Sequence, residues 1–150
     1  MSDASRLLHE EADAWARLVS TFSLVPGERF EEPTLTPGGW SPKDAMFHVA
    51  GWMRDCAVQL GRMAAGSFDH MEETREAIER QNQRWFEVSR SMDPADVRAD
   101  FLDARRRMVD AFGALGEVTP DAVEWFEESG ALHYAKHIED LRAFLAEPAR

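Results

Sequence analysis

The sequence predicts an all-α protein, most simply a four-helix bundle with an additional connecting helix. Apolar residues recur at helical spacing through most of the chain, and no segment alternates apolar and polar residues as a half-buried strand does. Glycines and prolines divide the chain into segments of helix length. With 150 residues, 44% hydrophobic and 30% charged, the composition is that of a soluble globular protein, and we expect one domain over residues 1–150.

The first helix is expected from about Ser5 to Leu24, where apolar residues share one face. These residues are Leu8, Trp15, Val19 and Phe22, with Leu7 and Leu18 flanking them. Pro26-Gly27 ends the helix, because proline lacks a backbone donor and glycine is a poor helix former. Residues 27–40 follow with further prolines and polar residues, which predicts an ordered loop.

The second helix is expected from Pro42 to about Ala65. Ser41 can cap the first free N–H groups, Pro42 suits the first helical position, and Asp44 occupies the place of a capping-box acid. One face carries Ala45, Val49, Trp52 and Cys56, and His48 falls on the same face. Gly66 and the polar residues after it end this helix. An imidazole on an apolar face requires an explanation.

A third helix is expected from about Glu72 to Ser91. Its inner face would carry Ile78, Asn82, Trp85, Ser89 and Met92. Asp93-Pro94 starts a fourth helix by the same combination of cap and proline, and Gly116 closes it. The buried face of that helix would carry Val97, Phe101, Met108, Phe112 and Leu115.

The remaining residues predict a turn and one more helix. Thr119-Pro120 is expected to start a short turn that runs through Trp125 and Phe126. Gly130 separates this turn from the last helix, which is expected from Ala131 to about Ala146.

Composition and charge exclude several classes of protein. The formal net charge of −11 repels phosphate backbones, so we expect no nucleic-acid partner. Apolar runs are only a few residues long, so we expect no membrane span. The first residues lack a basic segment followed by an apolar one, so we expect no signal peptide. Cys56 is the single cysteine, which fits a reducing, cytoplasmic setting.

The histidines are the residues most suited to chemistry. His133 and His137 stand one helical turn apart, so their imidazoles can hold one divalent ion. A third ligand must come from another element, and His48 on the inner face of the second helix can supply it. Three neutral imidazoles leave positions for water or substrate, as in a catalytic rather than a structural zinc site. Zinc or nickel is the expected ion.

Each histidine also has a structural interpretation. His48 alone could be a core histidine with a hydrogen-bond partner. His133 and His137 could be surface residues of a helix whose C-terminal half favours cations. His9 and His70 lie in polar surroundings and are expected to be solvated.

The other unusual residues have similar alternatives. Asn82 could line a pocket, or it could be a buried amide that the backbone satisfies. Cys56 could be a redox thiol or a soft ligand, but a small buried side chain is the favoured interpretation. Packing of the core and of the helix caps is the favoured role for Trp40, Trp52, Trp85 and Trp125.

Two segments resemble a known family. Gly39-Trp40-Ser41-Pro42-Lys43-Asp44 and the following Phe47-His48-Val49-Ala50-Gly51-Trp52 resemble the G-W-S-x-K-D…H-x-x-x-W segment of the DinB-like superfamily, within it the DfsB/ClbS type. The Asn82 segment, the helix start at Asp93-Pro94 and the closing residues 133–138 are similar too. The resemblance extends over about residues 5–146.

The resemblance implies an up-down-down-up four-helix bundle, often dimeric, that holds a divalent metal ion with three histidines. On this chain they are His48, His133 and His137. Relatives include thiol-dependent transferases and isomerases that use mycothiol or bacillithiol, and metal-dependent hydrolases. The maleylpyruvate isomerase branch places an acid where this chain has His133, which argues against that reaction here.

The resulting hypothesis is a metal-dependent hydrolase or thiol S-transferase that acts on a small electrophilic molecule. The ion would activate a water or hold a thiol as thiolate. Trp52 and Asn82 are expected to bind the substrate, as parts of the pocket wall, while Lys43 and Asp44 are assigned to the helix start. A rival hypothesis is a non-catalytic protein that binds or sequesters a toxic small molecule, with the metal incidental.

Overall fold

Helices make up the regular secondary structure of residues 2–71 and 73–148, which are the residues that the computed structural model describes. Within these ranges lie six α-helices: α1 (Asp3–Ser23), α2 (Pro42–Ala65), α3 (Arg75–Ser89), α4 (Pro94–Gly113), α5 (Pro120–Ser129) and α6 (Ala131–Ala146). A 3-10 turn at Gly27–Arg29 lies between α1 and α2. The all-α prediction is therefore confirmed. None of the described helices combines the length and the apolar content needed to cross a membrane.

Helices α2 and α4 run in the same direction, and α3 connects them. At the start of both helices, the Lys43 ammonium donates to the backbone carbonyl of Met92 at 2.7 Å. About three turns further along α2 and two turns further along α4, Arg54 forms an ion pair with Asp100. Helix α3 packs on α2 in the opposite direction, because Asn82 contacts Trp52 and the later Ser89 contacts the earlier Asp44. It therefore returns the chain to the end at which α4 begins.

Helix α1 runs opposite to α4. Glu11, in the first half of α1, accepts from Arg105 in the middle of α4, with an Nε to Oε2 distance of 3.1 Å. One turn further along α1, Trp15 packs on Phe101, which lies one turn earlier in α4, with ring centroids 4.5 Å apart. These paired contacts fix the antiparallel direction.

Helix α6 runs parallel to α1. In the first half of both helices, the Tyr134 hydroxyl donates to Glu11 Oε2 at 2.8 Å. After the end of α1, Arg29 donates to the carbonyl of Glu147, just beyond the end of α6, at 3.2 Å. Helices α1, α2, α4 and α6 therefore form the predicted up-down-down-up bundle, with α3 as the connecting helix.

The start of α2 is held by the predicted capping box. The Ser41 backbone N–H donates to Asp44 Oδ2 at 2.8 Å, and the Asp44 backbone N–H donates to Ser41 Oγ at 3.2 Å. Ser89 on α3 donates its hydroxyl to Asp44 Oδ1 at 2.5 Å, so the cap also attaches α3 to α2. Gly39 precedes the cap with φ of 86°, a conformation that favours glycine.

The predicted buried faces of α1 and α2 are partly wrong. The core of α2 is formed by Val49, Met53, Cys56 and Leu60, whereas Trp52 is only half-buried. In α1, Leu18 is fully buried and Val19 is 38% exposed. Helix α2 packs against α3, α4, α5 and α6, so its first half is buried on all sides and apolar spacing does not single out one face.

The segment after α4 also differs from the prediction. The expected short turn at Thr119-Pro120 is a helix of ten residues, α5. Thr119 caps it, since its hydroxyl accepts from the Ala122 N–H at 3.2 Å. Phe126 stacks on Phe112 of α4, with ring centroids 4.0 Å apart, and this packing stabilises a helix too short to persist alone.

The helix bounds otherwise lie close to the predictions. Helices α2 and α6 have the predicted limits, and α4 ends at Gly113 rather than at Gly116. The predicted start of the third helix, Glu72, falls outside the described residues, and α3 itself begins at Arg75. Thr74 caps α3 by accepting from the Ala77 N–H at 3.1 Å.

Candidate metal centre

Two helices bring three histidines together. His48 lies in α2, and His133 and His137 lie one turn apart in α6. The Nε2 atom of His133 is 3.0 Å from Nε2 of His48 and 3.0 Å from Nε2 of His137. One ring nitrogen from each histidine lies within 4.8 Å of the other two. The structure therefore groups the three residues that the sequence analysis selected as ligands.

Burial keeps the imidazoles of His48 and His133 neutral. Burial lowers the pKa of His48 to about 3, and the positive charges that His137 and Lys136 can carry act in the same direction. Burial also lowers the pKa of His133 well below its ordinary value, again with contributions from the neighbouring histidines and Lys136. A neutral imidazole has a free lone pair, which is what a metal ligand requires.

Neutral imidazoles cannot make hydrogen bonds at both of the Nε2 contacts of His133. The Nε2 atom of His133 has two close contacts, but in a neutral ring it carries either one proton or one lone pair. At most one of the two contacts can then be a good hydrogen bond, because a single proton or lone pair cannot point at both neighbours. A cation among the three nitrogens removes the conflict. At zinc–nitrogen distances of about 2.0–2.1 Å, tetrahedral geometry separates the nitrogens by about 3.3 Å, so a small relaxation suffices.

The outer nitrogens of the rings are unusual as well. The Nδ1 atoms of His48, His133 and His137 are buried and have no hydrogen-bond partner within residues 2–71 and 73–148. The carboxylate of Asp140 lies 3.5 Å from Nδ1 of His137, too far for a hydrogen bond but near enough to favour a proton on that nitrogen. A proton on Nδ1 leaves the Nε2 lone pair free for an ion.

The two residues expected to bind substrate lie together beside this centre. The Trp52 indole N–H donates to Asn82 Oδ1 at 2.9 Å, and both side chains are half-buried. The Asn82 amide lies close enough to the His48 ring to oppose the lowering of the pKa of His48. Trp52 therefore orients Asn82, and Asn82 is the one of the pair that faces a histidine.

Sequence reasoning missed two features of the site. Trp40 and Trp85 were assigned to packing, yet their rings lie 4.9 Å and 6.5 Å from the His48 ring, centroid to centroid. Gly51 was not singled out, although a Cβ atom there would lie 2.6 Å from the Trp85 ring. A glycine inside a helix, one turn after a histidine, is the signal that could have indicated this close approach.

The remaining candidates lie away from the centre. Cys56 is fully buried, burial raises the pKa of its thiol to about 12, and its sulfur lies 3.5 Å from the carbonyl of Trp125. It therefore packs as a small apolar residue, as expected. His9 is exposed, and His70 lies on the surface with its Nδ1 atom 3.0 Å from Asp121.

The comparisons with known proteins agree with this fold. Residues 8–147 match the family described as the mycothiol maleylpyruvate isomerase N-terminal domain. The chain belongs to this family. The match extends over nearly all of the chain and, together with the structural likeness below, supports the predicted membership of the DinB-like superfamily.

One solved structure, described as Sibling Lethal Factor Precursor, DfsB, is similar over 96% of this chain and 95% of that chain, with a TM-score of 0.77. The two sequences are 14% identical, so the likeness shows the fold alone. No curated protein matches the chain.

Proposed function

We propose that the chain binds a divalent ion, zinc or nickel, through His48, His133 and His137, and that it performs metal-dependent chemistry on a small electrophilic molecule. The observation that carries the proposal is the convergence of three Nε2 atoms from α2 and α6, with 3.0 Å between His133 and each of the other two. The donor set is neutral and contains no thiolate, which is typical of catalytic rather than structural sites.

The residues of the site would have different roles in this chemistry. When bound, a divalent ion in such a site lowers the pKa of a water or thiol ligand and so supplies a nucleophile near neutral pH. The three histidines hold the ion and leave the remaining positions free. Asp140 favours the ligating tautomer of His137, and Trp52 fixes the Asn82 amide beside His48.

Two reactions fit this arrangement: hydrolysis, and transfer of a low-molecular-weight thiol. The name of the family mentions mycothiol, which supports a thiol as the second substrate. The presence of His133, where the isomerase branch has an acid, argues against maleylpyruvate isomerisation itself. We propose a hydrolase or S-transferase of this family with a different substrate.

The alternative is a binding protein that sequesters a toxic small molecule. A turnover assay on metal-stripped and metal-reloaded protein separates the two functions. An enzyme consumes many equivalents of an electrophile and loses this activity without metal. A sequestering protein saturates at one equivalent.

We further propose that the protein is a cytoplasmic homodimer, as the lone cysteine and the family resemblance suggest. Light scattering on the purified protein would measure its mass in solution. A mass of one chain at micromolar concentration contradicts the dimer.

The metal site is tested by calorimetric titration of zinc and nickel into the wild type and five single-alanine variants. Substitution of His48, His133 or His137 should remove most of the binding, because two imidazoles seldom retain a divalent ion firmly. His9→Ala and His70→Ala are the matched controls and should bind as the wild type does. Added metal should also raise the melting temperature of the wild type but not of His48→Ala.

Two results would contradict the three-histidine site. One is wild-type affinity in His48→Ala, which would reduce His133 and His137 to an ordinary helix face. The other is a loss of binding in the His9 or His70 controls, which would place the ion on the surface.

A further inference from the structure

Half-buried aromatic rings line one side of the histidine centre. Trp40 lies edge-on to His48, with ring centroids 4.9 Å apart, and stacks on Phe86 with centroids 5.8 Å apart and planes 17° apart. Trp85 approaches His48 from α3, with centroids 6.5 Å apart. We call Trp40, Trp85 and Phe86 the aromatic shelf.

Core packing does not account for the whole shelf. Trp85 packs against the hydrophobic core, but Trp40 and Phe86 are not part of it, and both remain half-buried, with Trp40 beside His48. The stack of these two rings therefore leaves apolar surface in contact with solvent. Such surface next to a reactive centre is typical of a binding site.

The shelf is held in place by the backbone. The Leu35 N–H donates to the carbonyl of Trp40 at 2.9 Å, and Trp40 directly precedes the capping box of α2. On the opposite side, Trp85 lies against Gly51, where there is no room for a Cβ atom. Flat surfaces fixed in this way lose little conformational entropy when a ligand stacks on them.

Helices α3 and α6 both contribute rings to the surroundings of His48. Helices α3 and α6 both pack on α2, but in the described part of the chain they do not pack extensively against each other. Trp85 and Phe86 lie on α3, and His133 and His137 lie on α6. A ligand between α3 and α6 would contact the shelf on one side and the histidines on the other.

The charges at the centre favour an anion. Histidine ligands carry no negative charge to offset a divalent ion, and Lys136 is close enough to act electrostatically on both His48 and His133. Arg90 lies 5.4 Å from the Phe86 ring. Asp140 faces the outer nitrogen of His137 rather than the converging Nε2 atoms, and the Asp44 carboxylate accepts bonds from Ser41 and Ser89. This region therefore attracts negative charge, although the whole chain carries −11.

We propose that the substrate is a flat, aromatic or conjugated molecule with an anionic group, which stacks on the aromatic shelf and directs its carboxylate or thiolate towards His48, His133 and His137. This inference rests on the proposed metal site for the anionic part. The stacking part depends only on Trp40, Trp85 and Phe86.

The test is calorimetric titration of 2-naphthoate, with acetate and 2-naphthylmethanol as matched probes that lack the ring system or the charge. The zinc-loaded wild type should bind 2-naphthoate at least about tenfold more tightly than either matched probe. Trp40→Leu, which keeps apolar bulk but removes the flat ring, should weaken 2-naphthoate binding about tenfold and leave zinc affinity unchanged. Phe86→Leu should weaken it in the same direction.

Trp125→Leu is the control, since Trp125 is a half-buried tryptophan of α5 away from the centre. It should bind 2-naphthoate as the wild type does. Equal affinity of the wild type and both shelf variants, or equal affinity for acetate and 2-naphthoate, would overturn the inference.

If the wild type binds no zinc, the proposed function fails, and the aromatic shelf is then tested by titration of 2-naphthoate into the metal-free protein. If the metal-free protein binds 2-naphthoate and Trp40→Leu weakens that binding, the result supports the aromatic shelf as a binding surface. If the metal-free protein does not bind 2-naphthoate, the inference is overturned.

Discussion

Two buried polar clusters lie side by side in this bundle and differ in one respect. Glu11 is 1% exposed, and its carboxylate accepts bonds from Arg105 at 3.1 and 2.5 Å and from the Tyr134 hydroxyl at 2.8 Å. The second cluster contains His133, the neighbour of Tyr134, together with His48 and His137. The Nδ1 atoms of these three histidines have no hydrogen-bond partner among the described residues. The polar groups of the first cluster are hydrogen-bonded to one another, whereas the second cluster contains polar atoms without a hydrogen-bond partner.

This difference separates a structural cluster from a functional one. Buried polar groups are normally hydrogen-bonded, because an unpaired group loses its hydration without compensation. The Glu11 cluster follows the rule and joins α1, α4 and α6. The histidines violate it at their outer Nδ1 atoms, and their Nε2 atoms make close contacts that hydrogen bonds between neutral rings cannot all satisfy. A bound cation would satisfy the Nε2 atoms and leave each Nδ1 to carry a proton.

The largest effect is expected for Glu11→Ala. The substitution leaves the buried Tyr134 hydroxyl without its acceptor and Arg105 without its counter-ion, although Arg105 is 26% exposed and can partly reach water. We expect the free energy of unfolding to fall by about 3 kcal/mol. Urea denaturation of the metal-free protein at neutral pH measures it.

Glu10→Ala is the matched control for this substitution. Glu10 forms an exposed ion pair with Arg6, so its removal should change stability by less than about 0.5 kcal/mol. If Glu11→Ala costs less than about 1 kcal/mol, or removes metal binding in protein that is still folded, the two clusters do not differ in the way described.

The sequence predicted what local spacing determines. The capping box of α2 is visible in Ser41, Pro42 and Asp44 because all its contacts lie within four residues. The pairing of His133 and His137 follows from one turn of helix. The grouping of these two with His48 needed only the expectation that α2 and α6 present their inner faces to each other.

What the sequence could not predict depends on contacts between distant residues. Glu11 looks like one acid among 28 acidic residues, and its partners lie 94 and 123 positions away. Trp52 lies on the predicted apolar face, but Met53 is the residue buried in the core, because α2 has neighbours on several sides. The role of Gly51 depends on Trp85, which belongs to another helix.

The pH dependence of the metal-free protein is the next effect in size. The pKa of His48 is about 3 in the folded protein and about 6.5 when unfolded, so the unfolded state binds more protons below pH 6.5. The stabilisation is complete above pH 6.5 and is lost as the pH falls towards 3. Between pH 8 and pH 5, His48 alone should cost about 2 kcal/mol, and His133 adds to the loss in the same direction.

Denaturation of chelator-treated wild type and His48→Ala at several pH values measures this loss. The variant should show a shallower decline between pH 6.5 and pH 5, whereas His9→Ala should follow the wild type. Parallel pH profiles for wild type and His48→Ala would mean that burial does not keep the histidine neutral.

A smaller effect is expected at the contact between α2 and α3. Gly51→Ala places a Cβ atom 2.6 Å from the Trp85 ring, so the indole must move away from the histidine centre. We expect a net loss of about 1.5 kcal/mol, since overpacking outweighs the better helix propensity of alanine. Thermal or urea denaturation measures the change.

Gly61→Ala in the same helix is the control. No atom lies within 4 Å of a Cβ placed there, so the better helix propensity should stabilise the protein by about 0.5–1 kcal/mol. If Gly51→Ala stabilises the protein as Gly61→Ala does, the Trp85 ring can move without cost. Helix α3 would then not hold Trp85 in a fixed position beside the histidines.

The smallest effect is expected for the hydrogen bond between Trp52 and Asn82. Trp52→Phe removes the indole N–H that donates to Asn82 Oδ1 at 2.9 Å, and both side chains are half-buried, so water can partly replace the lost donor. We expect a loss of about 1 kcal/mol. A double-mutant cycle with Asn82→Ala isolates the bond, because the second substitution should cost less once the first is present. A coupling energy near 1 kcal/mol would show that α2 and α3 are joined here by a satisfied polar contact, as α1, α4 and α6 are joined by Glu11. Additive losses would instead mean that Asn82 is free to turn towards His48, and the unsatisfied cluster would then extend to the amide.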